Sequence, residues 1–210
     1  MNSGERYLVI LVLSTVAFSG CDKRPPPSSL SSGGKEILTA EPDWRALVSR
    51  LPLVELPFTY TAWRDPKFDL VELSSAEQLL FHDDHELSGT AVGLLPDTAR
   101  YFHVLWMGAA DDMVPMVTTF SKEGQRLTQE SLIVGKCGPP DPCFSCSETT
   151  TISSDLKIVS IDTLRECRCD SLSEPIPNTC ERYILRKEGS FDHSGRLVLK
   201  AVVRTDLDVD

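Results

Sequence analysis

The sequence predicts a mainly β fold, an antiparallel meander that closes as a barrel or packs as a sandwich, with one or two short N-terminal helices. From residue 88 onward, runs of β-branched and aromatic residues alternate with short turns rich in Asp, Ser and Gly. The two clear helix-capping signals both lie before residue 82. No sequence repeat is strong enough to define propeller blades, although a propeller-like arrangement of the strand pairs stays open.

Two helices are predicted from their capping residues. Asp43 can cap a helix over Trp44–Arg50, because its side chain can accept hydrogen bonds from the first unpaired N–H groups. Ser74 and Glu77 have the spacing of a capping box, and an apolar stretch follows them. Both helices are expected to be short, and Pro52 ends the first of them.

The remaining predicted elements are strands. Gly124 is placed to adopt a positive φ in the turn Ser121–Gly124. Nearer the C-terminus, Glu188-Gly189 and the turn Asp192–Gly195 are predicted to separate the last two strands. The predicted strands are Phe58–Trp63, Thr90–Leu95, Tyr101–Met107, Val114–Phe120, Arg126–Val134, Thr149–Ile152, Leu156–Ile161, Arg182–Arg186 and Arg196–Arg204.

The first twenty residues are predicted to be an export signal that is removed. Arg6 supplies a positive charge, and an apolar run occupies residues 7–18. As a helix this run spans about 18 Å. That length is too short to cross a hydrocarbon core of about 30 Å, but it suits the apolar region of a signal peptide.

The order Phe18-Ser19-Gly20-Cys21 resembles the lipobox of bacterial lipoproteins, although Phe18 stands where Leu, Val or Ile is usual. The resemblance implies that the signal peptide, residues 1–20, is cleaved before Cys21 and that this cysteine carries lipid. Two or three acyl chains form a stable anchor, since each buried methylene contributes about 0.8 kcal/mol. We therefore expect the chain to reside in the cell envelope, anchored to the inner or outer membrane and facing the periplasm or the exterior.

Residues 21–42 are predicted to be the lipidated terminus and a disordered tether. The segment 22–35 is rich in Pro, Ser and Gly and has almost no apolar side chains. Residues 43–210 are predicted to form a single mainly β domain with Cys-rich loops at 137–180. The formal net charge of −10 repels phosphates, which argues against a nucleic-acid partner.

The folded part is similar to small uncharacterised lipoproteins of Gram-negative bacteria. The similarity lies in Leu105–Gly108, in Val114–Thr119 and in the Cys-rich segment before Glu148–Ile152. This resemblance implies a place in the envelope but no particular activity.

Six cysteines besides Cys21 predict disulfide bonds. An even number in an exported chain favours three bridges, and six cysteines allow fifteen pairings. Two of them, Cys167 and Cys169, are not expected to pair with each other, because one intervening residue would strain the ring. Each is expected to reach the 137–146 cluster or Cys180. The candidates are Cys137, Cys143, Cys146, Cys167, Cys169 and Cys180.

Two other uses of these cysteines stay open. Cys143 and Cys146 have the Cys-x-x-Cys spacing of thiol oxidoreductases, but a strand-like run follows instead of the helix that lowers the thiol pKa in those enzymes. Alternatively, Cys137, Cys143, Cys146 and one later cysteine could hold a structural zinc ion.

The functional prediction rests on the anchor and on what the sequence lacks. It contains no Gly-x-Ser-x-Gly elbow, phosphate-binding glycine loop or His-Glu-x-x-His motif. We therefore assign no catalytic residue, metal site or cofactor. The sequence predicts a membrane-anchored envelope lipoprotein that is non-enzymatic and either binds an envelope protein or glycan or serves structurally. The alternative is a metal- or thiol-dependent redox protein that uses the cysteines at 137–180.

Overall fold

The structure is a computed structural model, and it describes residues 42–64, 67–82, 89–97, 99–110 and 112–207. Cys21, the predicted signal peptide and all but the last residue of the predicted tether lie outside the described residues. Of the helices in the described part, neither is long and apolar enough to cross a bilayer.

The described residues form two helices and eleven strands, which confirms a mainly β fold with short N-terminal helices. The helices are α1 (Trp44–Arg50) and α2 (Ser75–Phe81). The strands are β1 (Phe58–Thr61), β2 (Val71–Glu72), β3 (Gly89–Leu94), β4 (Phe102–Ala109), β5 (Met113–Phe120), β6 (Arg126–Ser131), β7 (Phe144–Ile152), β8 (Ile158–Glu166), β9 (Glu181–Phe191), β10 (Leu197–Leu199) and β11 (Val203–Leu207).

Both helices begin at the capping residues that the sequence indicates. Oδ1 of Asp43 accepts hydrogen bonds from the backbone N–H groups of Arg45 and Ala46, at 3.0 and 3.1 Å. In α2, the Ser74 N–H donates to Glu77 Oε2 at 2.8 Å, and the Glu77 N–H donates to Ser74 Oγ at 3.4 Å. These bonds satisfy N–H groups that have no partner within the helix.

The strands are arranged in two antiparallel sheets. Sheet A is a meander with the order β2-β3-β4-β5-β6. Sheet B has the order β1-β7-β8-β9-β10, and β11 also pairs with β9. The first strand of the chain therefore belongs to the same sheet as the last ones, because Phe58 on β1 pairs with Ile152 on β7.

An apolar core contains side chains from both sheets. Val92, Leu105 and Val117 come from sheet A, whereas Tyr60 and Ile152 come from sheet B. Within the part of the chain that the structure describes, the sheets do not join into a closed barrel, so the arrangement fits a sandwich and not the barrel alternative.

A second apolar cluster includes residues of both helices and of sheet A. Leu47 on α1 and Phe81 on α2 are fully buried with Trp106 and Phe120. Neighbouring residues of β4 alternate between the two clusters, with Leu105 in the first and Trp106 in the second. This strand is therefore buried on both faces, which explains its nearly continuous apolar sequence.

Two strands of sheet B are longer than their sequence patterns indicate. Strand β7 begins at Phe144, five residues before the predicted start at Thr149, because polar residues there still pair with β8. Strand β9 continues through Gly189, where the sequence predicts a break. A Cβ atom at Gly189 would lie 2.5 Å from Leu199 Cδ2, so this glycine makes room for a side chain of β10 and does not end the strand.

Candidate functional site

The six cysteines of the described residues form three disulfides. The pairs are Cys137–Cys146, Cys143–Cys169 and Cys167–Cys180. The prediction of disulfides is confirmed, and so is the expectation that Cys167 and Cys169 bond elsewhere. The bridge Cys143–Cys169 joins the loop before β7 to the long connection between β8 and β9, whereas Cys167–Cys180 closes that connection on itself.

This connectivity does not favour either alternative use of the cysteines. Cys143 and Cys146 are bonded to different partners, and β7 begins between them at Phe144. Thiol oxidoreductases of the Cys-x-x-Cys type instead need both sulfurs in one reversible bridge at a helix N-terminus. The predicted four-cysteine zinc set is not assembled here either, because its sulfurs are bonded in pairs.

Two aspartates fix the backbone of the disulfide-bonded loops. Oδ1 of Asp141 accepts hydrogen bonds from the N–H groups of Cys143 and Phe144, both at 2.7 Å. Oδ1 of Asp170 accepts one from the N–H of Leu172 at 2.8 Å. Such side-chain bonds to the local backbone stabilise tight turns. The loops therefore have a defined shape next to sheet B.

An open groove of about 910 Å³ lies on sheet B beside these loops. The central strands β7, β8 and β9 contribute its floor, and Asn178 and Cys180 of the long connection contribute one wall. Leu164 and Tyr183 are buried on the opposite face of the same strands, so the groove lies on the outer face. Its polar lining consists of Ser145, Ser147, Thr163, Arg165, Asn178 and Arg182.

Two arginines stand side by side in the floor of the groove. Arg165 on β8 is the register partner of Arg182 on β9, and on its other side it is the partner of Ser145 on β7. Register partners on adjacent antiparallel strands project from the same face. Like charges directly opposite each other destabilise a sheet. An anion bound between the two guanidinium groups would offset this repulsion.

Arg165 is held in place by the disulfide-bonded loops. Its Nη1 donates to the Pro142 carbonyl oxygen at 3.5 Å, and its Nη2 lies 3.4 Å from Cys180 Sγ. Arg182 is exposed, and no carboxylate in the described ranges forms an ion pair with either guanidinium. Both groups can therefore offer N–H donors to a ligand in the groove.

The lining of the groove provides several hydrogen-bonding groups. Its described residues include no histidine or carboxylate to serve as a general base beside the hydroxyls of Ser145, Ser147 and Thr163. They also include no aromatic side chain. What the groove offers is hydroxyl and amide groups for hydrogen bonds, together with two guanidinium groups for an anion.

The sequence interpretation predicted that the cysteines form disulfides but left their connectivity open, and it missed the arginines. Burial alternates along Ile158–Glu166 and places Arg165 on the outer face, but the residue types do not alternate, since Ser160 and Asp162 are among the buried ones. The position of Arg182 across from it depends on the register between β8 and β9, which no local signal specifies. Cys21, the predicted lipidation site, lies outside the described residues.

Comparison of the chain with protein-family models, with curated proteins and with solved structures finds no match.

Proposed function

We propose that this chain is a non-enzymatic lipoprotein of the cell envelope, anchored by lipid on Cys21, and that the groove on the outer face of sheet B binds an acidic glycan. The observation that carries the proposal is the pair Arg165 and Arg182, side by side and without an ion-pair partner in the part of the chain that the structure describes. The lipobox resemblance of the sequence supports the anchor.

The charge of the ligand follows from the arginine pair. Guanidinium groups bind carboxylate and sulfate oxygens with two parallel hydrogen bonds, and these charge-assisted bonds are stronger than neutral ones. The protein as a whole carries a formal net charge of −10. The two arginines therefore form a small positive region on a protein that is negative overall, and this region attracts an anion to the groove.

The polar lining favours a glycan over an acidic protein. Ser145, Ser147, Thr163 and Asn178 offer hydrogen bonds that match sugar hydroxyls. An acidic protein would have to approach over a wider area, where the negative surface of the chain repels it. A glycan strand needs to occupy only the groove and so avoids most of this repulsion.

The predicted tether is consistent with a polymer ligand near the membrane. Residues 22–35 could extend to at most about 50 Å. A domain on such a tether can reach a glycan strand that lies outside the bilayer while its lipid stays inserted.

The groove is tested with a carboxylated polysaccharide. Polygalacturonate and neutral dextran are immobilised, and binding of the full chain is measured on each. We expect binding to polygalacturonate alone. Arg182→Gln should weaken it about tenfold or more, because a charge-assisted hydrogen bond contributes about 1.5–3 kcal/mol.

A matched control lies on the same strand. Arg186 faces the same side of β9 but is already paired with Glu188 at 2.9 Å, so Arg186→Gln should leave binding within about twofold of the wild type. Equal losses in the two variants would overturn the proposal, as would equal binding to dextran. Capture of an acidic protein with no binding to polygalacturonate would assign the groove to a protein partner and reject the glycan.

A further inference from the structure

A buried carboxylate without a hydrogen-bond partner lies on the inner face of sheet B. Asp162 on β8 is 0 % exposed, and neither of its side-chain oxygens has a partner among the described residues. Burial raises the pKa of Asp162 to about 6, opposed in part by the charge of Lys136. A buried carboxylate normally has hydrogen bonds or a cation to offset the loss of hydration.

The neighbours of Asp162 are ligand atoms of another kind. A carboxylate oxygen of Asp162 and the sulfurs of Cys137 and Cys146 all lie within 4.8 Å of one another. The two sulfurs form a disulfide in this structure, and a disulfide sulfur carries no charge to bind a metal ion. While this disulfide is intact, its two sulfurs therefore cannot act with Asp162 as metal ligands.

A second buried carboxylate stands next to this set. Glu148 on β7 is the register partner of Asp162, is 1 % exposed, and accepts a hydrogen bond from the Val134 N–H through Oε1. Lys187 on β9 faces the same interior, where its Nζ donates to the carbonyl oxygens of Ser131 and Ile133, both at 2.9 Å. The second carboxylate and this ammonium group thus have partners, whereas Asp162 has none among the described residues.

We propose that reduction of the Cys137–Cys146 disulfide creates a binding site for a zinc-like divalent cation, with the thiolates of Cys137 and Cys146 and the carboxylate of Asp162 as ligands. Thiolate and carboxylate are ligand types that Zn²⁺ accepts in a tetrahedral site, and a fourth position stays open. Asp162 lies on the opposite face of sheet B from Arg165, although Cys146 also borders the arginine groove. The metal proposal does not depend on the glycan proposal.

The redox step requires a dithiol as the electron donor. The dithiol gives up two electrons and two protons and becomes a disulfide, while the bond between Cys137 and Cys146 breaks and each sulfur takes up a proton. The cation then displaces both protons, which pass to solvent, and two metal–sulfur bonds form. All atoms and electrons are accounted for by the dithiol, the bridge and the ion.

The geometry permits the change with a small movement. Two sulfurs on one zinc ion lie about 3.8 Å apart, because each Zn–S bond is about 2.3 Å and the angle is tetrahedral. In a disulfide two sulfurs are about 2 Å apart. Cys146 is fixed on β7, but Cys137 lies in an irregular segment beside Gly138, and a Cβ atom at that glycine would meet nothing within 4 Å. We therefore expect the separation of the sulfurs to come from the Cys137 side of the pair.

A divalent cation would offset the negative charges of the occupied site. The two thiolates and Asp162 contribute three, and the exposed Lys136 opposes the charge of Asp162. Glu148 is only partly ionised near neutral pH, because burial raises its pKa to about 7. Burial of a carboxylate beside a cation costs less than burial of an unpaired carboxylate, so the cation would relieve the cost that Asp162 imposes.

The experiment maps which thiols a metal protects. The full chain is reduced with a dithiol, desalted without oxygen, incubated with Zn²⁺ or buffer, and alkylated; mass spectrometry then gives the labelling rate of each cysteine. We expect Zn²⁺ to slow alkylation of Cys137 and Cys146 at least about tenfold while Cys167 and Cys180 stay reactive. Titration with Co²⁺ in place of Zn²⁺ should give a thiolate-to-metal absorption band.

Two variants distinguish this site from adventitious binding by thiols. Asp162→Asn should weaken Co²⁺ binding at least about tenfold and abolish the selective protection. Asp155→Asn, in the exposed turn before β8, should change neither, because Asp155 bonds to Ser153 and Lys157 and is not one of the proposed ligands. No protection, equal protection of all six thiols, or equal behaviour of the two variants would overturn the proposal. Loss of the β-sheet circular dichroism signal on reduction would overturn it too, since the ligands are held by folded strands.

Discussion

Nδ1 of His103 lies 3.1 Å from Oγ1 of Thr119, its register partner across β4 and β5. The Thr119 hydroxyl donates in turn to the Gly195 carbonyl oxygen at 3.3 Å, so Nδ1 of His103 is the donor toward Thr119. The imidazole also packs against Phe191, with ring centroids 4.1 Å apart. This pair therefore links sheet A to the β9–β10 hairpin of sheet B.

The burial of His103 makes stability depend on pH. Desolvation lowers its pKa to about 4, opposed in part by Asp97. The unfolded chain takes up a proton near pH 6.5 while the folded chain does not, so the stabilisation is complete above about 6.5 and is lost as the pH falls toward about 4. The contribution of His103 should fall by about 3 kcal/mol over this range, while the buried carboxyl groups of Asp162 and Glu148, whose pKa values burial raises to about 6 and about 7, act in the opposite direction. Urea unfolding at a series of pH values measures the sum of these contributions.

A pair of variants isolates this contribution from that of the carboxyl groups. His103→Gln should change the dependence of the unfolding free energy on pH: relative to the wild type, the variant should gain about 3 kcal/mol as the pH falls from about 6.5 to about 4. His193→Gln, at an exposed position in the β9–β10 turn, should leave it as in the wild type. If both variants kept the wild-type slope, His103 would not be the responsible group.

The turn between β5 and β6 requires glycine at position 124. Gly124 has a φ of +90°, and a Cβ atom there would lie 2.4 Å from Trp44 Cγ. We expect Gly124→Ala to lower the unfolding free energy by about 2 kcal/mol or more, through backbone strain and displacement of the indole. Gly138→Ala, where nothing lies within 4 Å, should change it by less than about 0.5 kcal/mol. A similar effect at both positions would contradict the structure.

The disulfides should differ in their contribution according to the loop that each closes. Cys143–Cys169 spans 26 positions and Cys137–Cys146 spans 9. In the chain-entropy model this difference corresponds to about 1 kcal/mol. The double variant C143S/C169S should therefore lose about 1 kcal/mol more than C137S/C146S in urea unfolding under non-reducing conditions. The opposite order would show that native contacts, and not loop closure, dominate.

The anchor is tested at Cys21. We expect Cys21→Ser to abolish incorporation of labelled fatty acid and to release the chain from the membrane fraction, because the thiol that accepts the lipid is gone. Cys180→Ser removes a cysteine of the folded part and should leave labelling unchanged. A Cys21→Ser variant that stayed labelled and membrane-bound would refute the lipoprotein assignment.

Local sequence signals predicted the elements that depend on neighbours in the chain. Asp43 and Ser74 cap their helices as expected, because a cap needs only backbone groups two or three residues away. Gly124 has the positive φ that its turn requires. The even number of cysteines beyond Cys21 was also sufficient to predict disulfides, since that inference needs a count and not a geometry.

Features that combine distant parts of the chain were decided only by the tertiary structure. The pairing of β1 with β7, the choice among fifteen disulfide connectivities and the meeting of Arg165 with Arg182 all depend on strand register. Register is set by which faces the two sheets bury against each other, and no short segment contains that information. For the same reason the sequence identified Cys137 and Cys146 as ligand types but could not place the buried carboxylate of Asp162 beside them.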